Sequence, residues 1–269
     1  MLLAIDIGNT NSVFALTEGD AIRATWRCVT DTKRTADEYG AWLTQLMGLE
    51  WIEPQQVTAI VVATVVPESL FNVVGMCRRY FRCEPLVVGD SAVHLGVEAK
   101  VDRPREVGAD RLVNGLSAHR RYGGPAIVID FGTATTFDVI DGDGNYNGGV
   151  IAPGINLSLQ ALHMAAARLP RVDIKRPEKV IGRNTIACMQ SGVYWGYVGL
   201  IEGIVARIRA EWDAPLKVIG TGGLVPLFAE ATNVFDHVDG DLTLHGLIAV
   251  HALNSSAPAS SSATASPAH

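Results

Sequence analysis

The sequence is short of three things, and each shortage excludes something. Cysteine is scarce: Cys28, Cys77, Cys83 and Cys188 are the only four in 269 residues, and no two form a CxxC pair. That spacing favours neither a zinc site nor a disulfide framework, so the thiols read as reduced and buried. Positive charge is scarce: 22 Lys and Arg face 28 Asp and Glu, a net charge of −6. Gripping nucleic acid generally needs a basic face, so no nucleic-acid partner is expected. Long apolar runs are missing too. None approaches the roughly 20 residues of a membrane span, and Asp6 interrupts the opening run, which does not read as an export signal. No membrane partner is expected, and a cytoplasmic location is the simplest reading. What is plentiful is ordinary apolar residues, 48% of the chain, enough for buried cores in one large domain or two of common size.

The stretch Leu3 to Leu16 carries the first signal, LAIDIGNTNSVFAL. An apolar run ends at Asp6, a polar turn follows from Gly8 to Asn11, and a second apolar run begins at Val13. The pattern is strand, tight turn, strand. Gly8 lets a ligand approach the backbone, and Asn9, Thr10, Asn11 and Ser12 crowd amides, hydroxyls and N–H groups into one place. Such a turn can cradle a phosphate, with Asp6 available to a metal ion directly or through water.

The chain then repeats itself. Residues 128 to 140 read VIDFGTATTFDVI, and at an offset of 124 Asp130 falls on Asp6 and Gly132 on Gly8. A fixed-offset repeat takes precedence over other fold readings. It implies two similar α/β domains, each opening with an acid-bearing hairpin: residues 1–122 and 123–253, then a Ser/Ala-rich tail, 254–269, with nothing to bury.

In chain order, a third strand follows each hairpin, at Ala21 to Cys28 and at Tyr146 to Ile151. Thr35 to Met47 reads as an amphipathic helix. Ala59 to Val66 reads as a buried strand, Glu68 to Tyr80 as a helix, Leu86 to Val88 as a short strand, and His94 to Glu106 as a loop. Val107-Gly108-Ala109-Asp110-Arg111 leads into a helix to about Arg121. An acid in a first helical turn is also ordinary capping chemistry, so structure and function compete there. A helix runs from Pro153-Gly154 to Arg168, and a charged loop follows it. A long helical region, Ile186 to Trp212, carries a stripe of Gly192, Gly196, Gly199 and Gly203, which suggests a close helix or subunit contact. Leu216 to Ile219 is a strand ending in Gly220-Thr221-Gly222-Gly223, a turn that can hold a nucleotide but is equally a plain connection. After Val234 to Phe235 the last helix runs from Leu242 to about Leu253.

Taken in order, Asp6-Ile7-Gly8-Asn9-Thr10, Gly108-Ala109-Asp110-Arg111, Asp130-Phe131-Gly132-Thr133, Gly182-Arg183-Asn184-Thr185 and Gly220-Thr221-Gly222-Gly223 resemble the motifs of type III pantothenate kinase. The first alone marks only the wider actin, hexokinase and Hsp70-like superfamily. The resemblance implies two ribonuclease-H-like domains around a central cleft, a homodimer, and transfer of the γ-phosphate of ATP to pantothenate, the first step toward coenzyme A. It implies that Asp6, Ile7, Gly8, Asn9, Thr10, Asn11, Ser12 and Val13 bind the ATP phosphates, with Asp6 near Mg²⁺, and that Thr133 touches ATP. It implies that Asp110 accepts the proton, that Val107, Gly108, Ala109, Arg111 and Thr185 serve pantothenate, and that Asp130 holds potassium or ammonium. The sequence departs from the family at Val101, three residues before Pro104, where members commonly carry a substrate-contacting tyrosine. Two other readings fit part of the pattern. Another small-molecule kinase of the superfamily would keep Asp6 and Asp130 but has no reason to keep Gly-Ala-Asp-Arg. A non-catalytic transcription accessory factor of the same family could lose an acid, and every expected acid is present.

Overall fold

The computed structural model describes residues 1–165, 170 and 172–255. Its opening hairpin is β1 (Leu2–Ile7) and β2 (Asn11–Glu18), followed by β3 (Ala21–Val29). The chain continues through α1 (Ala36–Leu49), β4 (Ala59–Thr64), α2 (Pro67–Met76) and β5 (Leu86–Val87). A loop then leads to α3 (Ala109–Tyr122). The second half repeats the plan with β6 (Ala126–Phe131), β7 (Ala134–Ile140), β8 (Tyr146–Pro153), α4 (Ile155–Ala165), α5 (Thr185–Glu211), β9 (Lys217–Thr221), α6 (Val225–Ala229) and β10 (His237–Val238). The last element is α7 (Leu242–Ser255).

The repeat in sequence is a repeat in topology. The first sheet has the order β3-β2-β1-β4-β5 and the second β8-β7-β6-β9-β10. In both, the hairpin pairs are antiparallel and the outer two strands are parallel to the central one. The copies differ at the turn. Asp6 pairs with Val13, but Asp130 pairs with Thr136, so the second turn is one residue shorter. The offset of 124 therefore holds only up to the turn; beyond it, Phe14 corresponds to Phe137, each opposite the isoleucine that precedes its acid.

Side-chain alternation along the strands decides where the acids go. Leu3, Ile5 and Ile7 share a core with Tyr39, Leu43 and Met47 of α1 and with Val73 and Met76 of α2. Leu2 and Ala4 face the opposite way, into a core with Leu244, Leu247, Ile248 and Val250 of α7. Asp6 continues that second row. In the other sheet Ile127, Ile129 and Phe131 pack on Tyr194, Tyr197, Val198 and Ile201 of α5, while Ala126 and Val128 face Ala118 and Leu242. Asp130 continues the latter row. Period two thus turns both acids inward.

Helices α3 and α7 fill the space between the sheets. Gly246 of α7 lies so close to the Val113 backbone of α3 that a Cβ there would collide with it. Helix α7 is largely apolar because most of it is covered, with Leu242, Leu244, Gly246, Leu247, Ile248 and Val250 buried. This alters the expected division of the chain: α7, placed by sequence with residues 123–253, packs on the first sheet. The helix also runs through Ser255, so the tail does not begin at residue 254. Asn254 in it donates to the His94 carbonyl and accepts from the His94 N–H at 2.8 Å each. The remainder of the expected tail lies outside the described residues, as does the expected end of α4 at Arg168. A short strand not read from the sequence lies at His237–Val238. The thiols are unpaired, but of the four only Cys77 is buried; Cys28 and Cys83 are half-buried and Cys188 is exposed. Among the described residues no helix is long and apolar enough to cross a membrane.

Candidate active site

Three carboxylates meet between the sheets. Asp6 stands at the end of β1, Asp130 at the matching place on β6, and Asp110 in the first turn of α3. Burial pushes the Asp6 carboxyl up to about 7, and the negative charges of Asp110 and Asp130 add to the effect. Burial likewise pushes Asp130 up to about 7, helped by Asp110 and Asp138. Asp110 is raised by burial, opposed by the N–H and the charge of Arg111. Crowded acids with raised proton affinity mark a place that is incomplete without positive charge.

The backbone around each acid is shaped by glycine. Gly108 caps α3 with no side chain, and a Cβ there would lie 2.5 Å from the Asp110 carboxylate. Gly222, at φ +88°, lies against Asp130: a Cβ would sit 2.7 Å from its Oδ1 and 2.7 Å from the Phe131 backbone. The Gly220-Thr221-Gly222-Gly223 turn is therefore packed onto Asp130. Beside Gly223 a pocket of about 490 Å³ opens, lined by Arg176, Tyr194, Leu224 and Glu230 among others.

The hairpin tips are braced. Gly8 donates to the Asn11 carbonyl at 3.0 Å, and Gly132 to the Ala134 carbonyl at 3.1 Å. Thr30 holds the first tip: its hydroxyl donates to the Gly8 carbonyl at 2.7 Å, and its N–H to the Thr10 carbonyl at 2.9 Å. Gly154 holds the second, donating to the Thr133 carbonyl at 3.0 Å, so closely that no side chain would fit. Across the cleft the two tips touch, Thr10 Oγ1 lying 2.7 Å from Thr133 Oγ1.

Arg111 is held from below. Its Nε donates to Asp138 Oδ1 at 2.6 Å, and its guanidinium lies 5.2 Å over the Tyr146 ring. Asp138 is fully buried and also accepts from Thr136 at 2.9 Å. A buried ion pair anchors an arginine firmly, because losing one partner strands the other. Asn114 donates to Asp130 Oδ2 at 3.0 Å and accepts from Thr243 of α7 at 2.7 Å.

The comparisons with known proteins decide what this cleft belongs to. A family model described as type III pantothenate kinase matches residues 2–207. The chain belongs to the type III pantothenate kinase family. A type III pantothenate kinase of Paramagnetospirillum magneticum is 62% identical over 95% of this chain and 98% of its own length. One from Maricaulis maris is 54% identical over 96% and 99%. Among solved structures, a protein described as a Baf family transcriptional activator from Campylobacter jejuni superposes with a TM-score of 0.60 at 18% identity, covering 94% of this chain and 98% of that one. The activator of 2-hydroxyisocaproyl-CoA dehydratase from Clostridium difficile, solved with ADPNP, does so at 0.53 and 12%, covering 94% of each. At such identities these two speak for the fold, a doubled ribonuclease-H-like architecture. As a member of the pantothenate kinase family the chain is an ATP-using enzyme that phosphorylates pantothenate on the way to coenzyme A.

Of the pantothenate kinase residues carried over from sequence, the fold gathers Asp6, Asp110 and Asp130, with Gly108, Ala109 and Arg111 at the start of α3 beside them. Thr10 and Thr133 touch. Ile7 is buried in the core and Ser12 is fully buried, bonded to the Thr30 hydroxyl at 2.9 Å, so neither offers its side chain to the cleft. Thr185 stands apart, the first residue of α5, in a groove with Ser158, Leu162, Met189 and Gly192. Val101 packs against the core that holds Tyr146, and Lys100 beside it pairs with Asp141 at 2.7 Å. Sequence reading grouped Asn114 with Asp110 and Arg111 near the start of α3, but missed Thr30, Asp138, Tyr146 and Gly154 as parts of the site. Asp138 alone carried a signal, as a charge inside an otherwise apolar strand.

Among the described residues no three acidic, histidine or cysteine side chains converge closely enough to form a metal cage on their own. The donor set nevertheless fits cations of the hard, oxygen-loving kind, which take one or two carboxylates and complete their shell with substrate oxygens and water. The raised acids give a direct test. Carboxyls that keep their protons to higher pH in the folded chain make the folded state hold more protons than the unfolded state between about pH 4 and 7. Unfolding free energy therefore falls as pH rises through that window. Asp130→Asn removes one charge, flattens the fall, and stabilises the ligand-free protein above pH 7 by about 1–2 kcal/mol. Thermal unfolding from pH 5 to 8 in chelated, potassium-free buffer measures it; coincident wild-type and variant curves would contradict the mutual repulsion.

Proposed function

We propose a division of labour within the pantothenate kinase reaction, carried above all by the meeting of Asp6, Asp110 and Asp130 between two copies of one hairpin. The tips at Gly8 to Asn11 and at Thr133 receive the ATP phosphates, and the pocket beside Gly223 receives the nucleoside end. Asp6 and water would hold the Mg²⁺ that accompanies ATP, and Asp130 would hold potassium or ammonium. Such cations supply positive charge where phosphates and carboxylates crowd. Asp110, fixed by the helix start and the Arg111 N–H, orients the pantothenate hydroxyl and accepts its proton as the bond to phosphorus forms. A carboxylate is too weak a base to remove that proton beforehand. Arg111, anchored by Asp138, offers its remaining N–H groups to the pantothenate carboxylate, a pairing that guanidinium geometry suits.

The domain division we propose keeps the boundary between Tyr122 and Gly123 but assigns α7 to the first domain. We also propose a homodimer built on α5. Among the described residues a Cβ at Gly192, Gly196 or Gly199 would meet nothing within 4 Å, so the described helices leave that stripe bare. Bare glycines in a helix are each roughly 1 kcal/mol worse than alanine unless something packs on them. Ile181 and Ile186 are exposed as well. The stripe adjoins the groove of Thr185, which supports a reading in which pantothenate is recognised beside the subunit contact.

Asp110→Asn should leave the fold intact, with melting no lower than wild type, and lower turnover by about 10²–10⁴-fold, the usual range for a lost general base. Turnover near wild type would remove Asp110 from that role. Rates in potassium should exceed those in sodium or Tris, and Asp130→Ala should abolish the difference; equal wild-type rates would remove the cation from Asp130. Gly196→Leu should weaken association and pantothenate use while ATP binding survives. Sedimentation beside pantothenate titration decides it, and an unimpaired dimer with normal pantothenate response would relocate the interface.

A further inference from the structure

The inner row of the first sheet does not end at Asp6. Asp6 pairs with Val13 of β2, and Val13 pairs with Arg27 of β3. Residues paired across neighbouring strands point to the same face. Trp26 and Cys28, on either side of Arg27, pack into the outer core with α1, which confirms that Arg27 faces inward. Two strand spacings put the Arg27 and Asp6 backbones roughly 10 Å apart, within reach of the long arginine side chain. The guanidinium leans further, into the other half of the molecule: its NH1 lies 4.0 Å from where a Cβ on Gly223 would stand. One side chain thus runs from the first sheet to the turn that packs on Asp130.

Several other exposed arginines of the first half are paired. Arg23, on the same strand, bonds Glu18 at 2.9 Å, Arg78 bonds Glu84 at 2.7 Å, and Arg79 bonds Asp37 at 2.7 Å. Arg27 has no hydrogen bond and no ion pair among the described residues. Arg82, Arg105 and Arg120 of the first half are likewise exposed without a hydrogen bond or ion pair among the described residues, so it is the place of Arg27, not its lack of a partner, that sets it apart. Its positive charge acts on Asp6 through space. The matching place in the second sheet, opposite Thr136, is held by Ile151, so this charge is not a product of the duplication. An edge-strand arginine can serve only to discourage sheet pairing. That role needs no inward face and no reach to the opposite turn.

We infer that Arg27 is a further phosphate-binding residue of this site, bridging the terminal phosphates of ATP from the first half to the Gly222-Gly223 turn of the second. The inference rests on the kinase reading. Five unspent N–H donors in a planar fork suit phosphate oxygens, and lysine cannot match them in number or geometry. The residue supplies fixed charge where the transferred group carries most of its own.

The test is equilibrium binding of MgATP and of adenosine to the full chain by calorimetry, for wild type, Arg27→Gln and Arg27→Lys, beside steady-state kinetics. Arg27→Gln should weaken ATP and raise its KM by about tenfold or more, as loss of a charged hydrogen-bond donor does. Adenosine binding and pantothenate KM should change less than twofold. Arg27→Lys should recover part of the loss. Unchanged ATP affinity in Arg27→Gln would overturn the inference, as would equal losses for ATP and adenosine, which mark a structural role. Wild-type protein that binds no ATP would overturn the kinase reading and this inference with it.

Discussion

The constraint on which the site depends is the burial of like charges. Asp6, Asp110 and Asp130 are brought into one partly desolvated space where none can easily ionise beside the others. A fold spends stability on such an arrangement only where something bound relieves it. On the proposed reading, the cations that accompany ATP would relieve it by bringing positive charge, and the pantothenate hydroxyl would give one carboxylate a proton to accept. The neighbouring pair, half-buried Arg111 with fully buried Asp138, shows the contrast: there the compensating charge is built in.

Duplication explains how the acids arrive together. One sheet cannot surround a triphosphate, but two copies facing each other present two tips and two inward acids. The copies have since diverged in ways that suit separate duties. The first tip is a residue longer and braced by Thr30; the second is shorter and braced by Gly154. The first sheet carries Arg27 on its inner row, where the second carries Ile151. Helices α3 and α7 then lock the two sheets together, and α3 brings the third acid.

Much of this was legible in the sequence because the signals were local. Each hairpin announced itself by an apolar run, an acid and a glycine turn, and the repeat supplied the architecture. Thr35 to Met47 read as a helix from its periodicity, and Thr35 does cap it, its hydroxyl and Glu38 answering each other's N–H groups. What stayed hidden depends on contacts far apart in the chain. Nothing in Leu242 to Ser255 shows that it returns to the first sheet, since a largely apolar helix has no preferred side. Thr30, Gly154 and Asp138 act through neighbours 20 to 30 residues away, and no local pattern reports that. The one-residue difference between the turns escaped because apolar strands align almost equally well in adjacent registers; only pairing fixes them.

The central claim is that transfer takes place between the two hairpin tips, with Asp110 at the accepting hydroxyl. A crystal structure of the full chain with a non-hydrolysable ATP analogue, Mg²⁺, K⁺ and pantothenate tests it most directly. The account predicts the γ-phosphate between Thr10 and Thr133, whose mutual contact must part to admit it. It also predicts the pantothenate primary hydroxyl within hydrogen-bond reach of the Asp110 carboxylate. Pantothenate bound with its hydroxyl turned away from Asp110, or phosphates seated outside the two tips, would contradict it.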